Sequence, residues 1–339
     1  RSPDKVDAAL ALLNEEMPSA LFNAKIVDLA SLSSIQSATL EIVAEGRPID
    51  LLVNNVGVMM SPEGKTEDGF ETQFGTNHLG HFALTAGLMS LIVRGGRVIT
   101  LSSGAHLRGS VNLDDLNWTN RDYDPSLAYA QSKTANAWFT LELQRRYSDR
   151  FLSLSVHPGV IETDLMRHLP TAVFEIMREA IRNDGVEEKT LQQGAATTVW
   201  AATAPELLKH GGAYLADCQV AQPVTAADPR NGYAPWLYDA ESAKQLFVAS
   251  ENLTGIHVAV GEDGENAAPE TPSASDEEPE EPQVEDSTPP TVASARSRSA
   301  SISEEKDLGS LESFLKATNE GGELPSHEFA GRPRSANTR

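Results

Sequence analysis

A single cysteine, Cys218, stands in 339 residues, so neither an intrachain disulfide nor a cluster of thiolate metal ligands can form. One thiol suits a reducing compartment, and the expected location is cytoplasmic. Basic residues are scarce as well, with 27 Lys and Arg against 49 Asp and Glu for a net charge of −22. No basic face emerges anywhere along the chain, which excludes a nucleic-acid partner on electrostatic grounds. The same deficit gives no attraction to an anionic membrane surface. Long apolar runs are missing too. The longest, Phe82 to Val93, is interrupted by Thr85 and Ser90 and falls short of the roughly 20 residues that a membrane helix needs, so it reads as a buried helix. Arg1 rather than Met opens the chain, so a leader or anchor upstream would leave no trace in it.

What is present has two characters. Residues 1–256 alternate helical and extended patterns. Val6, Leu10 and Leu13 share a helical face in 4–14, and 21–29 is extended, ending in Val27-Asp28-Leu29. Ser31 opens a second helix, with Ile35, Ala38 and Ile42 on one face, that stops near Gly46. The run 49–53, halted by Asn54-Asn55-Val56-Gly57, reads as a strand buried on both faces. A long helix over 69–93, a strand over 97–101, a helix over 126–147 and a strand over 151–156 follow. Helices over 172–182 and 188–202 and a strand over 213–215 complete the pattern. This alternation predicts an α/β fold with a doubly wound parallel sheet. Residues 257–339 are different: from Glu262 onward, 18 acidic residues face 7 basic ones, in a stretch dense in Pro and Ser. Such a composition buries too little apolar surface to offset ordering and predicts a disordered tail, in which 308–315 is one amphipathic turn.

The chemistry concentrates at Tyr129 and Lys133, four apart on a predicted helix and therefore on one face. A free phenol titrates near 10, and a neighbouring ammonium brings it toward the range where it can act as an acid–base group. Spacing alone is not specific, since a surface helix with an extended lysine gives the same pattern. Ser102-Ser103 end the predicted strand 97–101, at the edge where open α/β sheets bind ligands, although strand-end capping also places serines there. Asn77 lies in Thr76-Asn77-His78-Leu79-Gly80-His81-Phe82. His78 and His81 are three apart but have no third ligand, so no metal site is expected.

Taken together, Tyr129-Ala130-Gln131-Ser132-Lys133, Ser102-Ser103, Ala105-His106, Asp115-Leu116-Asn117 and Gly212-Ala213-Tyr214-Leu215-Ala216-Asp217-Cys218 resemble the retinol-dehydrogenase-like branch of the short-chain dehydrogenases. The resemblance runs from Arg1 to about Ile256 and keeps the family's motif order. It implies a Rossmann-type fold and a catalytic set of Asn77, Ser103, Tyr129 and Lys133. Ser103 would hold the substrate oxygen and Asn77 would hold a water near the lysine. It further assigns a nicotinamide dinucleotide to Arg1, Asp28, Leu29, Asn55, Gly57, Pro158, Gly159, Ile161 and Thr163 together with Tyr129 and Lys133. Val56 departs from the family's usual alanine. Arg1, at a position that is basic in this branch, implies NADP over NAD. The family's Thr-Gly-x-x-x-Gly-x-Gly turn is absent, and the resemblance places it, with a first strand, helix and most of a second strand, roughly thirty residues before Arg1.

The expected partner is a small carbonyl or alcohol compound. Leu165, Leu169, Val173, Phe174 and Met177 point to a lipophilic one, though a plain amphipathic lid has the same residues. Homodimers and homotetramers are common in the family, and some members of this branch are tied to membranes. Two other readings compete. A non-catalytic nucleotide-binding or scaffold protein draws on the absent glycine-rich turn. A serine hydrolase using Ser103 and His157 would need a Gly-x-Ser-x-Gly elbow, which the sequence lacks.

Overall fold

The computed structural model describes residues 2–169, 188–225 and 232–258, together with 175 and 178–179. Arg1, most of the helix expected over 172–182 (Val173, Phe174 and Met177 included) and the whole tail beyond 258 lie outside the described residues.

Helix α1 (Pro3–Glu16) starts where Ser2 caps it and Pro3 sits at its first position. It buries no residue, so its apolar positions have no core to join. Helix α2 (Leu32–Glu45) is capped by Ser31 and ends at Gly46, whose φ of 66° is a left-handed stop that glycine adopts without strain. Its Ile35, Ala38 and Thr39 are buried.

Five strands form the sheet in the order β1 (Ile49–Asn54), β2 (Ile92–Leu101), β3 (Phe151–His157), β4 (Tyr214–Ala216) and β5 (Gln219–Val220). The first four run parallel, and β4 returns antiparallel into β5. A separate two-stranded ribbon pairs β6 (Gln222–Pro223) with β7 (Gly232–Tyr233). Both faces of the sheet are covered at its central strands β2 and β3. Ile99, Leu101, Leu154, Val156 and Leu215 pack on one face with Ala201 of α6 (Leu191–Thr203) and Leu207. Val98, one residue from Ile99 and therefore on the opposite face, packs with Phe82, Phe139, Leu143 and Phe247.

The helix expected over 69–93 is broken, and it ends in a 3-10 turn, Met89–Leu91, that runs into β2. Helix α3 (Thr72–Phe74) and helix α4 (Gly80–Leu88) are joined by one π turn, Gly75–Leu79, which carries Asn77. Gly80 is required there: a Cβ would stand 2.4 Å from the Leu29 carbonyl oxygen. Helix α5 (Pro125–Tyr147) is capped by Asp124 and is buried along most of its length, with the sheet on one side and α7 (Ala240–Thr254) packed against another.

Three further sequence readings are corrected. Residues 21–29 form no strand, because no neighbour among the described residues offers them a ladder; Leu21 is fully exposed. Strand β1 is not buried on both faces. Among the described residues it pairs only with β2, and Leu51 and Val53 are exposed. The strand expected over 97–101 begins earlier, at Ile92.

Candidate active site

Parallel register aligns the strand ends. Asn54 pairs with Thr100, which pairs with Ser155, and Leu101 pairs with Val156. The loops after β1, β2 and β3 therefore leave the sheet side by side, carrying Asn55 to Val58, Ser102 to His106, and Pro158 to Thr163.

Helix α5 lies across these ends. Tyr129 and Lys133 are both buried, on adjacent turns of one face, with the Lys133 Nζ 5.6 Å from the Tyr129 ring centre. Ser103 comes within hydrogen-bonding reach of the Tyr129 hydroxyl. Ser103 Oγ also accepts from the Ala105 N–H at 3.2 Å, which fixes its side chain at the start of a 3-10 turn. Ser102 anchors the same junction by donating to the Lys133 carbonyl at 2.8 Å. Lys133 Nζ donates to the Leu101 carbonyl at 3.1 Å, its one hydrogen bond among the described residues.

Burial governs the protonation states. It pushes the Tyr129 phenol up to about 12, against the lowering effect of the Ser103 hydrogen bond. It pulls the Lys133 ammonium down to about 8. The sequence led us to expect a phenol lowered by its lysine. In this structure burial outweighs the Ser103 hydrogen bond, and Lys133, bonded through Nζ to the Leu101 carbonyl, is not among the causes of the shift.

Asn77 joins the site through bonds to the loop after β1 and to α5. Its amide donates to the Val58 carbonyl and to Ser132 Oγ, both at 2.9 Å, and its oxygen accepts from the Val58 N–H at 2.8 Å. With these bonds it clamps the loop after β1 to α5. Its main-chain carbonyl is taken by His81 Nδ1 at 2.7 Å. A Cβ placed on Gly57 would lie 3.7 Å from each of Asn77 Oδ1, Lys133 Nζ and Leu165 Cδ1, so these groups converge on one small cradle.

Among the described residues, the remaining expected cofactor positions lie on the loops after β1 and β3 and in the turn before α2. Pro158, Gly159 and Ile161 follow β3 at the sheet edge, and Gly159 has a φ of 89° with the Lys189 side chain lying across it. Ile161 bridges to Lys189, and its side chain packs on Gly194. Thr163 is exposed and caps the turn Asp164–Met166. Asn55 is exposed, while Leu29 is core. Asp28 Oδ1 accepts from the Ala30 N–H, a turn contact before α2. Arg1 lies outside the described residues. No cluster of metal-ligating residues occurs among the described ones. His78 and His81, considered as a pair, are held by Ser250 and by the Asn77 carbonyl. Sequence reading gave no role to Ser132, whose partner Asn77 lies 55 residues away, too far along the chain for any local pattern to reveal.

The family model described as short chain dehydrogenase matches residues 1–173. The chain belongs to that family. Retinol dehydrogenase 13 of Homo sapiens is 36% identical over 267 residues, 76% of each chain. Polyprenol dehydrogenase of Mus musculus is 41% identical over 239 residues, covering 68% of this chain and 67% of the relative. A crystal structure of an uncharacterised protein from Mycobacterium paratuberculosis superposes with a TM-score of 0.56 at 34% identity, over 76% of this chain and 83% of that one. As a short-chain dehydrogenase of the retinol-dehydrogenase-like branch, the chain is an oxidoreductase of CH–OH and C=O groups that works with a nicotinamide cofactor.

The residues beside α5 fit such a cofactor. Lys133 is a buried ammonium with N–H donors to spare, and Gly57 leaves open the space that a side chain would fill. Both suit the ribose hydroxyls on the nicotinamide side. The pyrophosphate has no glycine-rich turn to meet it in these 339 residues. No helix among the described residues is long and apolar enough to cross a membrane.

Proposed function

We propose that this short-chain dehydrogenase interconverts the carbonyl and alcohol of a lipophilic small molecule, with NADP as the hydride carrier. The single observation that carries the reading is the convergence of Ser103 and Lys133 on Tyr129 at the carboxyl ends of three parallel strands. Bound there, the cofactor supplies a hydride to, or takes one from, the substrate carbon. Everything else falls to the protein. Ser103 Oγ orients the substrate oxygen, and Tyr129 gives or takes the hydroxyl proton at the same oxygen. Lys133 holds the nicotinamide ribose and favours the phenolate as it forms.

The lipophilic substrate draws support from half-buried Leu165 and Leu169 after β3, and from relatives named for retinol and polyprenol. Arg1 supports NADP by its place in the sequence. A non-catalytic scaffold on the same fold is the competing reading. The two separate when NADPH consumption is followed with retinal, a polyprenal and a short-chain ketone. Turnover of the long-chain aldehydes in preference to the ketone is expected. Fluorescence titration showing that NADPH does not bind would favour the scaffold.

A further inference from the structure

His106 follows Ser103 by three residues and is completely buried, yet neither of its ring nitrogens is idle. Nδ1 lies 2.7 Å from the Ser103 carbonyl oxygen, which can only accept, so Nδ1 carries the proton and donates. The main-chain N–H of Ala234 then donates to the bare Nε2 at 3.2 Å. One neutral imidazole thus joins the strand-end serine to a residue 128 positions further on. The ring rests against Tyr214 of β4, with centres 4.7 Å apart, and Tyr238 Oη accepts from the Tyr214 main-chain N–H at 2.9 Å. The segment that follows β7 is therefore tied at two points to the sheet edge beside the site. On the far side of Ser103, Gly104 packs against the His157 ring, where a Cβ would be 3.3 Å from Nε2.

We propose that His106 is a positioning residue for the reaction: by bridging the Ser103 carbonyl to the Ala234 N–H, it holds the serine hydroxyl at the angle that serves the substrate oxygen. This rests on the catalytic reading of Ser103. Losing the bridge leaves the Ser103 carbonyl held, among the described residues, by the His106 main-chain N–H alone, at 3.1 Å, and cuts its tie to Ala234, so orientation suffers before stability does. Phenylalanine at 106 keeps the ring against Tyr214 and removes both hydrogen bonds. Asparagine keeps a donor near the Nδ1 position.

The test is a double-mutant cycle between His106→Phe and Ser103→Ala, read as kcat and KM with NADPH and an aldehyde, with melting temperatures in parallel. His106→Phe is expected to lower kcat about tenfold, the worth of one net hydrogen bond, with the NADPH dissociation constant unchanged. His106→Asn is expected to recover part of that loss, and it carries the test should the Phe variant fail to fold. In the Ser103→Ala background the His106→Phe penalty should vanish. If the full penalty persists there, His106 acts on the fold at large and the proposal is overturned while the Ser103 assignment stands. If Ser103→Ala alone leaves kcat unchanged, the catalytic reading of Ser103 falls and takes this proposal with it.

Discussion

A phenol held up to about 12 and an ammonium pulled down to about 8 sit on neighbouring turns of one buried face, and their protonation sets the direction in which each works. Across neutral pH Tyr129 keeps its proton, the form that carbonyl reduction consumes. Lys133 loses its charge as pH rises through about 8, and with it the field that stabilises a phenolate. The rate of reduction is therefore expected to be level at neutral pH and to decline above about 8. Alcohol oxidation starts from the phenolate beside a charged Lys133, so it should climb up to about pH 8 and level off above it. Lys133→Met should remove the alkaline limb of reduction and lower kcat at least about tenfold, as read from kcat–pH profiles in both directions. A limb that survives the substitution would belong to another group. Asn77 differs in kind: fully bonded to Val58 and Ser132, it holds the loop beside Lys133 in place and takes no proton itself.

At the scale of elements, close approach decides more than propensity. Gly80→Ala puts a methyl group 2.4 Å from the Leu29 carbonyl, so the start of α4 must move away from the loop before α2. A loss of about 1–3 kcal/mol is expected, seen as a lower urea midpoint with an unchanged slope. An unshifted midpoint would show that the contact yields freely. Helix α5 was legible because its signal is local: Asp124-Pro125 starts it, and Tyr129 and Lys133 announce its working face. Ser103 was legible from a strand end together with its neighbours. The π turn at Gly75–Leu79 was not, since a helical period continues through it while one extra residue turns Asn77 toward Val58. The exposed edge of β1 was also hidden, because Leu51 and Val53 spell a buried strand and only the absence of a neighbour among the described residues leaves them open. The His106 bridge joins residues that no window of sequence holds together.

For the whole molecule, buried imidazoles set the response to acid. Burial, the leading cause in each case, lowers His78 to about 3 and His81 and His106 to about 4. In the unfolded chain they titrate near 6.5, so between about 6.5 and 4 the unfolded state binds more protons than the folded one. Their contribution is present above 6.5 and is lost as pH falls through that window, by at most about 1.4 kcal/mol per pH unit for each histidine. Glu71, raised by burial, opposes this in part. Urea unfolding at pH 7 and pH 5 should show the folded state clearly weaker at pH 5, and His78→Gln should flatten the difference. The fold that carries these histidines also brings three strand ends under one helix, and the function rests on that convergence. Tyr129→Phe removes a single oxygen from it, so the most direct measurement is single-turnover hydride transfer from NADPH to an aldehyde by this variant, with the cofactor dissociation constant measured alongside. The transfer rate should fall about 10³-fold while NADPH binding is unchanged. A transfer rate equal to that of the unaltered protein would contradict the assignment of Tyr129 as the proton donor.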